Sequence, residues 1–169
     1  MDRPGRVRPI TPAEVRQLRH DVLRPFDPPE RLVYAGDDAA ETLHAGAFEG
    51  ERLVGIASVC REPMPAGSDP CGSVESGQWR LRGMATVPAV RGRGLGRALL
   101  EACFDHIRSQ GGDLLWCNAR VAALGFYLRM GFETQGDELE IAPIGPHFVM
   151  TRVLQREAVS QLPADIIDR

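Results

Sequence analysis

Apolar residues in the first half of the chain lie in short stretches bounded by turn-forming residues, a pattern typical of β-strands. The predicted strands are residues 7–10, 42–48, 52–60 and 78–87. Only Glu49-Gly50-Glu51 separates the second strand from the third, which predicts a hairpin. Pro88 ends the fourth strand, because proline cannot donate a hydrogen bond to a β-ladder.

A first helix is predicted directly after the first strand. Thr11 is a suitable N-cap, Pro12 occupies the first helical position and Glu14 completes a capping box. This helix should end before Pro25, because the residue before a proline disfavours helical geometry.

Two later segments change to a helical period. Apolar residues recur every four positions at Leu95, Leu99, Cys103 and Ile107. This second helix should stop at Gly111-Gly112, and a third is predicted over residues 122–130, ending at Gly131.

Short strands are predicted around the third helix, at residues 114–117, from Phe132 onward and at 148–150. The order of elements indicates one mixed α/β domain over residues 1–154, followed by a tail or terminal helix at 155–169. Residues 25–41 and 61–76 are rich in proline and glycine and predict long loops, which often border active sites.

Composition narrows the classes of function. The 169 residues carry a net charge of -3, which argues against a nucleic-acid or anionic-membrane partner. No apolar run approaches the ~20 residues of a membrane span, and no signal peptide is visible, so a cytoplasmic protein is expected. Four cysteines lack metal-ligand spacing, so reduced thiols and no metal are expected. They are Cys60, Cys71, Cys103 and Cys117.

The turn between the fourth strand and the second helix carries candidate chemistry. It reads Arg91-Gly92-Arg93-Gly94-Leu95-Gly96-Arg97. The free N–H groups and the dipole of a helix N-terminus favour an anion, and the glycines let the backbone approach a pyrophosphate. No Ser, Thr, Asp or Asn occurs between residues 88 and 98 to cap this helix, and its arginines oppose the dipole. Both features favour a bound anion over a plain glycine turn with solvated arginines.

Two nucleotide-binding motifs fit this turn poorly. A P-loop ends in Gly-Lys-Ser/Thr, whereas this turn ends in Gly96-Arg97-Ala98 and has no magnesium ligand. A dinucleotide fingerprint requires a third glycine where Arg97 stands, and Asp113 begins its strand instead of ending it.

The chain resembles the GNAT superfamily of N-acetyltransferases over roughly residues 6–153. Residues 91–96 fit that family's acyl-CoA motif Gln/Arg-x-x-Gly-x-Gly/Ala, and residues 81–88 resemble its central strand. Residues 123–132 look like its Ala-x-x-Phe-Tyr-x-x-x-Gly-Phe signature, and residues 144–150 suit its last strand. The resemblance implies a mixed, mostly antiparallel central sheet flanked by helices, with a splay between the two central strands.

The resemblance also implies roles for individual residues. Met84, Ala85 and Thr86 would present backbone groups to the pantetheine arm and thioester of acetyl-CoA, and the N–H groups of residues 92–97 would hold its pyrophosphate. Tyr127 would protonate the departing thiolate during direct attack by an amine in a ternary complex. A purely structural Tyr127, packed with Phe126 and making one hydrogen bond, is the alternative.

One position departs from the family pattern. Arg120 stands seven residues before Tyr127, where many members have asparagine. Either Asn118 takes over that cofactor contact, or Arg120 itself reaches the cofactor or substrate; Asn118 as a cap of the following turn is an equal alternative. The general base is not identified, and the candidates are Glu75, Glu138, Glu140, His147 and an ordered water.

Several functional alternatives stay open at this point. The acceptor is a small-molecule or peptide amine, and the acidic loops 24–41, 61–76 and 134–143 mildly favour a cationic one. A non-catalytic module that senses acyl-CoA and a structural homodimer with an empty cleft are the competing hypotheses. A covalent acetyl-enzyme through Cys117 has little support, because no nucleophile motif surrounds it.

Overall fold

A computed structural model describes residues 5–65 and 77–154, and within them seven strands form one sheet. The strands are β1 (Arg6–Pro9), β2 (Leu43–Glu49), β3 (Arg52–Arg61), β4 (Gln78–Thr86), β5 (Leu114–Arg120), β6 (Glu133–Ile141) and β7 (Gly145–Val153). Their order across the sheet is β1-β2-β3-β4-β5-β7-β6, and β4 with β5 is the parallel pair among otherwise antiparallel neighbours. The predicted mixed α/β class with a mostly antiparallel sheet is confirmed.

The first helix forms with the predicted cap. Helix α1 (Pro12–Leu18) begins after Thr11, whose Oγ1 accepts from the Glu14 N–H at 3.3 Å while its own N–H donates to Glu14 Oε2 at 2.7 Å. A π-helical turn, Arg19–Leu23, follows directly. Helical structure therefore ends before Pro25, as the sequence predicts.

The two later helices also form where expected. Helix α2 spans Leu95–Ser109, and helix α3 (Leu124–Arg129) follows a 3-10 turn. Helix α2 buries Leu100 and Phe104 in addition to the predicted row. A helix that packs on a sheet buries a stripe wider than one row of residues four positions apart. The residues that follow Leu99 and Cys103 therefore also face the sheet.

The two faces of the sheet are covered by different helices, and we name them the α2 face and the α1 face. Side chains of the α2 face pack with α2 in one cluster that includes Leu81, Leu115, Cys117 and Ala119. Side chains of the α1 face pack with α1 in a second cluster that includes Val15, Leu18, Ile56 and Ala85. Successive residues of a regular strand alternate between the two faces of the sheet. In a strand without a bulge, the cluster to which one residue belongs therefore shows which face its neighbours are on.

Strand β5 is longer than the sequence predicts, and the last strand contains the residues predicted for it. β5 continues past the predicted end at residue 117 to Arg120, and β7 (Gly145–Val153) contains residues 148–150. The two strands pair with each other from Leu114↔Val153 to Arg120↔His147, and this ladder keeps polar residues extended. The predicted tail at 155–169, Cys71, Glu75 and most of the predicted 61–76 loop lie outside the described residues.

Candidate active site

The central parallel strands separate partway along their length. β4 and β5 pair only at Gln78↔Leu114, Trp79↔Leu115 and Arg80↔Trp116. Beyond that point β4 stays with β3 as far as Thr86, and β5 stays with β7 as far as Arg120. The facing edges of residues 81–86 and 117–120 therefore form the predicted splay, with backbone N–H and C=O groups available to an extended ligand.

A β-bulge lies in β4 at this splay. Ile56 pairs with Ala85 and Ser58 with Arg82, so Gly83 and Met84 together oppose one residue of β3. Gly83 has φ +57°, and a Cβ there would lie 2.8 Å from Arg19 Nε. Glycine is needed at this position for both its backbone angle and the close approach of Arg19. The bulge re-aims the backbone of Met84, one of the residues that the resemblance assigns to the thioester.

The glycine-rich turn has the geometry of an open helix N-terminus. Gly94 is the N-cap of α2 in the left-handed conformation, with φ 82°, and no side chain among the described residues caps the helix. A Cβ at Gly92 or Gly94 would meet nothing within 4 Å, so space remains outside the first turn. At Gly96 a Cβ would lie 3.2 Å from Phe126 and 3.5 Å from Met84. The first two glycines thus serve backbone conformation, and the third lets α2 approach α3 and β4.

The arginines of the turn are compensated more than the sequence suggests. Arg93 donates to Glu49 at 2.6 Å, and Arg97 donates to Glu101 at 2.9 Å, both at exposed positions. Carboxylates therefore already balance two of these cations, which need a bound anion less than the sequence indicates. The uncapped N-terminus of α2 remains the feature that indicates an anion site.

Tyr127 lies on α3 beside the splay and is 8% exposed. Its ring packs edge-on against Phe126 and Phe132, and its hydroxyl lies 3.7 Å from the Met84 Sδ. A thioether is a weak acceptor, so this contact leaves most of the hydroxyl's bonding capacity unused. Burial raises the pKa of Tyr127 well above its ordinary value, which keeps the phenol protonated. The side chain is thus a core residue whose protonated hydroxyl faces Met84, on the strand that the resemblance assigns to the thioester.

The match to known proteins decides the family. Residues 12–132 match the sequence profile of the acetyltransferase (GNAT) family. The chain belongs to this family.

A curated relative agrees with that assignment, and solved structures share the fold. The GNAT domain is 32% identical over 149 residues to the uncharacterised N-acetyltransferase YitI of Bacillus subtilis strain 168, covering 88% of this chain and 96% of that protein. Its fold is similar to the ribosomal-protein-S18-alanine N-acetyltransferase of Escherichia coli, with TM-score 0.68, 17% identity and coverage of 92% and 97% of the two chains. It is also similar to an aminoglycoside 6'-N-acetyltransferase complexed with coenzyme A, with TM-score 0.63, 16% identity and coverage of 90% and 98%.

Asn118 and Arg120 both lie on the α1 face of this GNAT domain. They alternate along β5 with Cys117 and Ala119, which belong to the α2-face cluster. The Nη2 of Arg120 donates to the Leu23 carbonyl at 2.8 Å, so the end of β5 is tied to the segment that follows α1. Arg120 therefore lies on the opposite face of the sheet from α2, beside the segment that follows α1.

The candidate bases occupy very different places. His147 is 4% exposed and pairs with Arg120 in the β5–β7 ladder, so both side chains lie on the α1 face. Its Nδ1 is 2.7 Å from the Gly145 carbonyl, which can only accept, so Nδ1–H is the donor of this hydrogen bond. Glu138 and Glu140 are exposed on the edge strand β6. Of the described candidates, His147 is the one that the fold brings beside the splay.

Sequence reasoning missed a buried arginine network under the bulge. Arg19 is fully buried and donates to both carboxylate oxygens of Asp37, at 2.6 and 3.0 Å, and to Ser58 Oγ at 3.1 Å. Two guanidinium groups lie over the ring of Tyr34, with the Cζ of Arg19 4.1 Å and the Cζ of Arg82 4.5 Å from its centroid. No local pattern could have connected residues so far apart in the chain.

The acidic loop residues are partly used inside the protein. Asp37 binds Arg19, and Glu62 binds Arg80 at 2.8 Å and lies 4.0 Å from Arg82. These two carboxylates are therefore not available to a cationic acceptor, which removes part of the reason to expect one.

Cys117 does not suit covalent catalysis. Burial raises the pKa of Cys117 and Cys103 to about 12, so neither forms a thiolate near neutral pH. Within residues 5–65 and 77–154, no cluster of His, Cys, Asp and Glu side chains is arranged to hold a metal ion. No helix in the same part of the chain is long and apolar enough to cross a membrane.

Proposed function

We propose that this GNAT domain transfers the acetyl group of acetyl-CoA to a primary amine by direct attack in a ternary complex. The observation that carries the proposal is that three features lie close together around Met84 and the N-terminus of α2. They are the uncapped N-terminus of α2, the splay between β4 and β5, and the Tyr127 hydroxyl beside Met84. Family membership and the shared fold with a coenzyme A complex support this choice of donor.

The cofactor would bind from the α2 end of the splay. The pyrophosphate would accept hydrogen bonds from the N–H groups of Gly92 to Arg97, where the helix dipole favours negative charge. Arg91 is exposed beside it and has no carboxylate partner among the described residues, so it can add a charge-assisted contact. The pantetheine arm would then lie along the open edge of Met84, Ala85 and Thr86. Asn118 would contact the arm from β5.

The chemical step requires one proton donor near the sulfur. The neutral amine attacks the thioester carbon, the C–N bond forms, and the tetrahedral intermediate releases its C–S electron pair to sulfur. Tyr127 then donates its phenolic proton to the thiolate, giving the free thiol of CoA. Burial that raises the pKa of the phenol also raises the basicity of a thiolate in the same dry cleft, so the transfer stays feasible. His147, which pairs with Arg120 at the end of β5, would receive the amine proton.

Two measurements separate an enzyme from a module that only senses acyl-CoA. Binding of acetyl-CoA should raise the thermal midpoint, and a panel of amines should then release free thiol. The chain contains no lysine, so thiol release cannot come from acetylation of its own lysine side chains. Binding without turnover of any amine would favour the sensing module, and absence of binding would reject both.

Tyr127→Phe tests the proton donor without disturbing the packing. Phenylalanine keeps the ring contacts with Phe126 and Phe132 and removes only the hydroxyl. We expect kcat to fall by at least roughly tenfold, because general acid catalysis is lost, while the KM for acetyl-CoA changes little. An unchanged kcat would remove Tyr127 from the mechanism and leave it a structural residue.

A further inference from the structure

Two arginines lie on the α1 face, one on each of the strands that diverge at the splay. Arg82 comes from β4 and Arg120 from β5, on the two strands that diverge after Arg80 and Trp116. Tyr34 lies 4.5 Å from the Arg82 guanidinium and is near enough to interact electrostatically with Arg120. Each diverging strand therefore carries one guanidinium group on the α1 face, and Tyr34 is a neighbour of both.

These guanidinium groups have too few carboxylate partners. Arg82 shares Glu62 with Arg80, which holds the shorter contact, 2.8 Å against 4.0 Å. Arg120 donates to the carbonyl of Leu23, and no carboxylate among the described residues pairs with it. Both side chains are half-buried, and burial lowers the pKa of each. Partly desolvated cations that lack full compensation are costly unless an anion completes the site.

Tyr34 fixes the orientation of Arg82. The guanidinium groups of Arg82 and of the buried Arg19 both lie over the ring of Tyr34, and the Tyr34 N–H donates to Asp37 at 2.8 Å. A stacked guanidinium keeps its N–H edge free, and that planar edge matches two oxygens of a carboxylate or phosphate.

We propose that the acceptor is a primary amine that also carries an anionic group, carboxylate or phosphate, bound by Arg82 and Arg120 on the α1 side of the splay. The inference rests on the proposed function, because it needs acetyl transfer to define the acceptor. Binding of the anion at the mouth of the splay holds the amine toward the thioester. The expectation of a cationic acceptor, drawn from the acidic loops, is replaced by this one, since Asp37 and Glu62 are occupied internally.

The test compares amines that differ only in the anionic group. Amino acids are assayed against their carboxamides and decarboxylated amines, and O-phosphoethanolamine against ethanolamine, with thiol release from acetyl-CoA as the readout. We expect the anionic member of at least one kind of pair to have a kcat/KM higher by at least roughly tenfold. The carboxylate and phosphate arms identify which anion is preferred.

Variants then assign the preference to the two arginines. Arg82→Met and Arg120→Met should raise the KM for the anionic acceptor and collapse its advantage over the neutral partner, with the KM for acetyl-CoA nearly unchanged. Arg82→Lys and Arg120→Lys should restore part of the advantage, because the charge returns without the planar edge. Arg52→Met, at an exposed position at the start of β3, is the matched control and should keep the full preference.

The outcomes distinguish this inference from the proposed function. Equal turnover of anionic and neutral amines by the wild type would overturn the inference and leave acetyl transfer standing. A loss of activity in the methionine variants that is equal for both members of a pair would also overturn it, because it indicates a structural role. Binding of acetyl-CoA without turnover of any amine would overturn the proposed function itself.

Discussion

The buried pair of Arg19 and Asp37 gives a sharp prediction about the support beneath the active site. Arg19 is fully buried and Asp37 is 7% exposed, and the carboxylate accepts from both Nη atoms of Arg19 and from the Tyr34 N–H. Asp37→Asn keeps the shape but removes the charge and points an amide N–H₂ at a guanidinium. The substitution leaves Arg19 as a buried, uncompensated cation.

The size of the effect follows from that geometry. Removing one partner of a buried ion pair costs about 3–5 kcal/mol of unfolding free energy. For a domain of this size each kcal/mol lowers the thermal midpoint by about 2–4 °C. We therefore expect the midpoint of Asp37→Asn to fall by roughly 6–20 °C. Because Arg19 also packs against Gly83, acetyl transfer by the folded variant should fall as the bulge loses its support.

The dependence on pH supplies an internal check. Burial alone would raise the pKa of Asp37, but hydrogen bonds from Arg19 and the Tyr34 N–H, with the charge of Arg19, lower it below its ordinary value. A lowered pKa in the folded state means that the stabilisation is present above the unfolded pKa of about 3.9. This stabilisation is lost as the pH falls through the pKa that Asp37 has in the folded protein. The difference between wild type and variant should therefore be full at pH 7 and shrink below about pH 4.

The assay is denaturant unfolding at pH 7 and at several acidic pH values, with Asp38→Asn as the control. Asp38 is adjacent and exposed, so its substitution should change the unfolding free energy by no more than about 0.5 kcal/mol. The reasoning is refuted if Asp37→Asn costs no more than Asp38→Asn, or if its cost does not diminish in acid.

Further predictions concern the turn and the buried thiols. Gly94→Ala forces alanine to φ 82°, so it should lower the thermal midpoint slightly and raise the KM for acetyl-CoA. The control is Gly50→Ala, at φ 57° in the β2–β3 turn. It should lower the thermal midpoint by a similar amount without changing the KM for acetyl-CoA. Equal KM values for the two variants would argue against a cofactor contact at the turn. Cys103 and Cys117 should resist iodoacetamide at pH 8 in the folded protein, because burial raises the pKa of both thiols to about 12. Both should react in urea, and peptide mass mapping measures the labelling in each condition. Rapid native labelling of either would contradict that burial.

The features that the sequence determined are local in origin. The Thr11–Glu14 capping box, the α2 helix and the uncapped glycine-rich turn depend on residues within a few positions of one another, and each has the predicted structure. Short-range hydrogen bonding and steric preference act before any tertiary contact forms, so their signals can be interpreted from one chain. Residues 91–96 and Tyr127 were sufficient for a family resemblance, which the family match then confirmed.

Tertiary structure alone decided the remaining features. The point at which β4 leaves β5, the extension of β5 to Arg120 and the pairing of Arg93 with Glu49 depend on strand register and on contacts between distant segments. The sequence likewise could not show that Arg82 and Arg120 lie on strands that diverge from each other, nor that loop carboxylates such as Asp37 are used internally. Charge in a sequence is only a count, whereas the electrostatics of a site depends on which charges the fold desolvates and pairs.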